Sequence, residues 1–246
     1  MEINYYKWYS YELNRDMEYK IYGTKGKPFI YFPTQFNRFY EAEDKGVVET
    51  LSYLIESGKI ILIACDSIDS ESLSNYGYWD KNRRLELEES YYNYFIKELY
   101  VALKHKLQFK ELPVLFGMSF GAYQAMNFFL RRPDLFSGVF AMSGIYRISY
   151  FIKDYYNKLA FYNSPIDSVI MLNNLDYLKL YNQKKILMVV SNGAYENEAY
   201  QNTIDLEREL KSKGIKNETY YWSNNYPHDF NSWNIYLNYY IKDFLS

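Results

Sequence analysis

The chain is expected to fold as an α/β protein, with a mostly parallel central sheet of about eight strands and helices on both faces. Three observations predict this. Short apolar runs alternate with amphipathic segments along most of the sequence. Two of the runs, Ile60 to Cys65 and Ile186 to Val190, are apolar throughout, as strands buried on both faces of a parallel sheet require. A Gly-x-Ser-x-Gly turn joins a third run to a helix-forming segment.

Alternation in Glu2 to Tyr9 and in Met17 to Tyr22, with Gly23-Thr24-Lys25-Gly26 as a turn, predicts a hairpin leading into the apolar strand Pro28 to Phe32. After a loop around Thr34 to Tyr40, the segment Ala42 to Glu56 places Val47, Val48, Leu51, Leu54 and Ile55 at helical spacing and stops at Gly58. Lys59 to Cys65 is a strand and Asp66 to Asn75 a polar loop. A long helix runs from Lys81 to Lys106, carrying Leu85, Tyr91, Phe95, Leu99 and Leu103. Pro113 to Phe116 is a short strand, and Ala122 to Arg131 a helix closed by Pro133. The pattern continues with strand Gly138 to Met142, an irregular stretch to Leu180, strand Lys185 to Ser191 and helix Glu198 to Lys213, which ends at Gly214. Strand Glu218 to Trp222 and a helix from about Asn231 to Phe244 complete it. No linker, charge block or internal repeat divides the sequence, so residues 1–246 are expected to form one domain. The stretch 145–181, rich in aromatics and poor in periodicity, is expected to be a lid or pocket wall.

Composition removes several function classes. At 246 residues and 29.7 kDa the chain can bury roughly 70 to 75 % of its unfolded surface without staples. Its 28 Lys and Arg against 30 Asp and Glu give a net charge of -2, which argues against a nucleic-acid surface. The apolar runs fall far short of the roughly 18 to 20 residues that cross a bilayer, so no membrane partner is expected. The N-terminal residues carry no secretory signal pattern, and the single Cys65 allows neither an internal disulfide nor a multi-Cys zinc site; both suit a cytoplasmic location. The 31 tyrosines are spread evenly and read as a compositional habit rather than a stacking platform. Phosphate-loop and dinucleotide fingerprints are absent, and no cofactor is expected. Asp66, Asp69 and Glu71 lack the spacing of a calcium loop, so no metal is expected; Cys65 reads as a buried small hydrophobe.

The segment Gly117-Met118-Ser119-Phe120-Gly121 lies directly between an apolar strand and a helix. A serine there sits at a strained turn, where bulky residues two before and two after would collide. A hydroxyl needs a neighbouring base to become a nucleophile at neutral pH. Of the two histidines, His105 stands upstream among lysines on a helix, whereas His228 falls in the loop after the last strand, which the fold brings over the carboxyl edge of the sheet. The orienting carboxylate is expected after the strand before the last, where Glu196 fits and Glu198 is the alternative; Asp205 lies too deep in the following helix. For the oxyanion hole, the N–H of Phe120 is one expected donor. The other is expected from the loop after Phe32, where Pro33 has no N–H; Thr34 is the first candidate and Gln35 the second.

Together these residues resemble the putative-esterase (esterase D-like) branch of the α/β-hydrolases. Elements similar to that family's are spread over nearly the whole chain: Tyr6-Lys7-Trp8-Tyr9-Ser10, Phe32-Pro33-Thr34 with Arg38-Phe39-Tyr40-Glu41, and Cys65-Asp66-Ser67-Ile68-Asp69. Ser119-Phe120-Gly121-Ala122-Tyr123, Arg132-Pro133-Asp134, Ser143-Gly144 and His228-Asp229-Phe230 follow. The resemblance implies a cofactor-free serine esterase with Ser119 as nucleophile, His228 as base and Glu196 as acid, acting on a small-molecule ester. The acid is Glu where related enzymes often have Asp, and the H-G-G-G oxyanion loop of lipases is missing. The alternatives are an acyltransferase on the same site and a non-catalytic binding protein on a hydrolase fold; exposed aromatics would suit a homo-oligomer.

An imidazole works as a base only when neutral. With the ordinary imidazole pKa of about 6.5, the hydrolytic rate is expected to fall on acidification through roughly pH 6 to 7. A pH–rate profile measures this, and a flat acid limb would count against His228.

Overall fold

Two-residue alternation decides which face of the sheet each core side chain serves. In β3 (Lys27–Phe32), Phe29 and Tyr31 enter one apolar cluster and Ile30 and Phe32 the other. β4 (Ile60–Cys65) divides in the same way, with Ile60, Leu62 and Ala64 on one side and Ile61, Ile63 and Cys65 on the other. The computed structural model describes residues 1–245. Its sheet is completed by β1 (Ile3–Ser10), β2 (Arg15–Tyr22), β5 (Val114–Met118), β6 (Gly138–Met142), β7 (Lys185–Ser191) and β8 (Glu218–Trp222).

The strand order is β1-β2-β4-β3-β5-β6-β7-β8. β1 with β2 and β2 with β4 pair antiparallel, and every other pairing is parallel. The loops that leave β3 through β8 therefore emerge at one edge, where sites of open α/β sheets gather.

Helices cover both faces. After α1 (Glu41–Asp44), α2 (Val47–Glu56) packs Val47, Leu51 and Leu54 on the cluster that also takes Trp233, Tyr236 and Leu237. The opposite cluster takes Tyr91 from α3 (Lys81–Asn93), then Phe95 and Leu99 from a π-helical stretch, Tyr94–Leu99, that runs into α4 (Tyr100–Leu107). It also takes Ala122, Met126 and Phe129 from α5 (Phe120–Arg131).

The stretch that shows no periodicity in sequence folds into α6 (Ser149–Ile152), α7 (Lys158–Tyr162), α8 (Pro165–Ile170) and α9 (Leu175–Tyr181). None is long enough to repeat an apolar face. The Asn157 and Asn174 side chains cap α7 and α9, and Pro165 opens α8. α10 (Asn197–Ser212) and α11 (Phe230–Tyr240) complete the fold. No helix among the described residues is long and apolar enough to cross a membrane.

One buried carboxylate lies apart from the strand ends. Glu88 on α3 is fully buried, with Ser72 Oγ and Gln124 Nε2 donating to its two oxygens at 3.0 and 2.8 Å. Burial pushes its pKa up to about 7 against the pull of those two hydrogen bonds. The unfolded chain loses this proton near the ordinary carboxylate value of about 4.3, the folded chain only near pH 7. The associated stability is thus fully present below about pH 4 and lost as pH rises to about 7. Glu88→Gln, which cannot ionise, should raise the melting temperature relative to wild type more at pH 8 than at pH 5. Equal shifts at the two pH values in thermal melts would refute this.

Candidate active site

The turn between β5 and α5 holds Ser119 at φ +53°, ψ −118°, a sparsely populated backbone region whose occupation typically costs about 1–3 kcal/mol. Two glycines make room for it. A Cβ on Gly117 would press into the Gly121 backbone, and a Cβ on Gly121 would press into the Phe32 carbonyl at the end of β3. The Ser119 N–H donates to the Met142 carbonyl at 2.9 Å, which fixes the turn to the end of β6.

His228 reaches this serine from the loop between β8 and α11. Its Nε2 lies 2.9 Å from Ser119 Oγ. Its backbone N–H donates to the Ala194 carbonyl at 2.9 Å, while Asp229 caps α11 by accepting from the Ser232 N–H. The loop after β7 packs against the same segment: a Cβ on Gly193 would strike the Tyr226 carbonyl, and Ser191 Oγ donates to that carbonyl.

Behind the imidazole, Nδ1 stands 3.3 Å from Glu196 Oε1, at ion-pair distance but without the alignment of a hydrogen bond. Glu196 is fully buried, and the same Oε1 accepts from Ser143 Oγ at 2.6 Å. Ser143 Oγ in turn accepts from Trp233 Nε1 at 3.0 Å, and the Trp233 ring meets the imidazole edge-on at 4.7 Å. The structure therefore brings Ser119, His228 and Glu196 together and adds Ser143 and Trp233. No spacing rule points to those two. Ser143-Gly144 follows β6 as a bare dipeptide, and Trp233 reads as an ordinary apolar helix position.

Glu198 stands in the first turn of α10, exposed, on the cleft wall rather than beside the imidazole. His105 is exposed on α4. Cys65 is buried, and burial raises its thiol pKa. Among the described residues no group of three His, Cys, Asp or Glu side chains is placed to hold a metal ion. Asp66 pairs with Arg38, Glu71 with Arg15, and Asp69 accepts from the Phe36 N–H.

On the other side of the serine, Phe120 begins α5, where position leaves its N–H without an intrahelical partner. The expectation for Thr34 needs correction. Its N–H donates to Glu41 Oε2 at 2.7 Å inside the protein, so it is not free to meet an oxyanion. Gln35 is the residue of this loop that lines the cleft with Ser119 and Phe120. Sequence reasoning misses the reason because Glu41 falls between the loop ending at Tyr40 and the helix expected from Ala42, and nothing in its spacing pairs it with Thr34. The cleft has a volume of about 460 Å³, and Ile145, Tyr150, Phe151 and Tyr195 form much of its wall. This volume falls within the usual range for small-molecule sites, roughly 300–1,000 Å³.

A family model described as putative esterase matches residues 10–244. No curated protein sequence matches the chain. Among solved structures, an S-formylglutathione hydrolase from Agrobacterium tumefaciens superposes with a TM-score of 0.77 at 15% identity, over 99% of this chain and 94% of that one. A ferulic acid esterase gives 0.75 at 15% identity, over 99% and 98%. The S-formylglutathione hydrolase FrmB from Staphylococcus aureus gives 0.70 at 14% identity, over 100% and 97%. At these identities the likeness is one of fold, the α/β-hydrolase fold.

The glycine contacts generate a direct test. Gly121→Ala should lower the melting temperature, by overpacking worth about 1–3 kcal/mol, and slow the reaction of Ser119 with a fluorophosphonate at least about tenfold. Gly77→Ala, where a Cβ meets nothing within 4 Å, should change neither. Wild-type behaviour of Gly121→Ala in both measurements would contradict the packing argument.

Proposed function

Because the chain belongs to the putative esterase family, and so is an esterase of the α/β-hydrolase fold that acts on small-molecule esters, we propose that it hydrolyses carboxylic esters through a Ser119–His228–Glu196 triad and an acyl-enzyme. The observation that carries this reading is the 2.9 Å approach of His228 Nε2 to Ser119 Oγ, with the buried Glu196 carboxylate behind the other ring nitrogen.

Ser119 Oγ attacks the acyl carbon as Nε2 takes its proton, and the carbonyl electron pair moves onto the oxygen, where the Phe120 and Gln35 N–H groups receive it. Collapse of this intermediate expels the alcohol, which leaves with the proton from His228. Water then attacks the acyl-enzyme, again losing its proton to Nε2, and the second collapse frees the acid and restores Ser119. Glu196 holds the tautomer with its proton on Nδ1 and stabilises the imidazolium that forms at each attack. In apo structures such contacts are often loose and tighten with substrate bound, which accounts for the 3.3 Å separation.

The cleft opens past Tyr195, which is 91% exposed, and the exposed Glu198, so water has access to the acyl-enzyme. This favours hydrolysis over acyl transfer to an alcohol. The aromatic wall and modest volume suit short acyl or aryl groups, and the segment 145–181 supplies that wall through Ile145, Tyr150 and Phe151. A single domain and a cytoplasmic location complete the reading; with one cysteine the chain needs no oxidising compartment.

A fluorophosphonate should label the wild-type protein and leave Ser119→Ala unlabelled, with hydrolysis of p-nitrophenyl acetate falling about 10³-fold or more in that variant. Glu196→Gln should lower kcat about 10²- to 10⁴-fold with KM little changed. Undiminished hydrolysis by Ser119→Ala would end this reading.

A further inference from the structure

The loop that leaves β3 is held by two carboxylates that the reaction itself does not use. Glu41, 1% exposed, accepts from the Thr34 N–H and hydroxyl and from the Tyr31 hydroxyl at 2.6 Å. Asp69, 2% exposed, accepts the Phe36 N–H at 2.8 Å. Neither carboxylate forms an ion pair among the described residues, so hydrogen bonds do most to offset the cost of their burial, with the Lys45 charge adding to them at Glu41. Burial raises the pKa of each, and the hydrogen bonds they accept oppose that rise.

Between the two anchors the backbone makes a tight turn, closed by the Asn37 N–H donating to the Thr34 carbonyl at 3.2 Å. Phe36, its third residue, has φ +63°, a value that normally calls for glycine at this position. A phenylalanine persists there only if its surroundings impose the geometry. No apolar pocket does so, because Phe36 is 60% exposed; the Asp69 carboxylate on its N–H does. The turn therefore has its first and third N–H groups held by buried acids, while its second, that of Gln35, has no hydrogen-bond partner among the described residues and belongs to a residue that lines the cleft with Ser119 and Phe120. Gly121 packs on the Phe32 carbonyl at the root of the same loop, which couples the turn to the serine.

We propose that Glu41 and Asp69 are positioning residues that clamp the Thr34–Asn37 turn so that the Gln35 N–H stands ready, opposite the Phe120 N–H, to stabilise the oxyanion formed at Ser119. This rests on the ester-hydrolysis reading above. Because the oxyanion exists only after attack, loss of the clamp weakens transition-state binding and leaves ester binding nearly unchanged.

The test uses Asp69→Ala, Asp69→Asn and the double variant Asp69→Ala with Phe36→Gly. Asparagine keeps an oxygen that accepts the Phe36 N–H, and glycine at 36 adopts positive φ without help. Asp69→Ala should lower kcat for p-nitrophenyl acetate about tenfold or more, keep KM within about twofold, and weaken an arylboronic acid, which mimics the tetrahedral intermediate, by a factor like that of kcat. Asp69→Asn and the added Phe36→Gly should each restore most of both. Should Asp69→Ala not fold, Asp69→Asn and Phe36→Gly with Asp69→Asn are compared in its place, and both should keep near-wild-type kcat and boronate affinity. A folded Asp69→Ala with wild-type kcat and boronate affinity, or losses that Phe36→Gly does not relieve, would overturn the proposal. A wild-type protein that a fluorophosphonate does not label would instead overturn the reading on which it rests.

Discussion

How closely two backbones can approach at Gly121 governs the carboxyl edge of this sheet. The first turn of α5 lies directly on the Phe32 carbonyl, and Gly117 lies directly on Gly121. Three segments thereby share one contact: the strand before the serine, the helix after it and the loop that leaves β3. Without a Cβ at either position, Ser119 can hold its positive φ and still be tied to Met142 on the neighbouring strand. Rigid strand ends of this kind set a reactive side chain more accurately than a free loop does.

The second half of the site depends on a chain of polar contacts under the imidazole. Trp233 donates to Ser143, Ser143 donates to Glu196, and Glu196 faces His228. A fully buried carboxylate needs such donors, because leaving it bare inside protein is costly. Oε2 of Glu196 and Nδ1 of His228 have no aligned hydrogen-bond partner in the resting arrangement. A positive charge on the ring would strengthen the attraction across the 3.3 Å between Nδ1 and Glu196 Oε1.

Much of this was legible in the sequence, for physical reasons that differ by element. β4, and β7 from Ile186 to Val190, announce themselves because a strand segment buried on both faces must be apolar throughout. Ser119 is visible because only glycine fits two residues before it and two after. His228 and Glu196 follow from the order in which the strands deliver their loops. The π-helical stretch Tyr94–Leu99 was not legible, since apolar residues there keep helical spacing while the backbone hydrogen bonding shifts; the Glu98 carboxylate on it accepts the Tyr11 and Glu12 N–H groups, a long-range contact. Thr34 is the first residue after Pro33 with an N–H and so the first donor to expect, and only the folded chain reveals that this N–H donates to Glu41. Ser143 appears in the sequence only as a family-like dipeptide with no role attached and Trp233 carries no pattern, because both act through tertiary contact alone.

The indole beside the imidazole has a consequence for observing the protein. Trp233 is buried, hydrogen-bonded and in edge contact with His228, whereas Trp79 is 83% exposed. Its emission will therefore respond to the charge on that ring, since a cation at this range withdraws excited-state density from an indole. With the other three tryptophans replaced, the charge on His228 can thus be followed through Trp233 with no substrate present and no label attached.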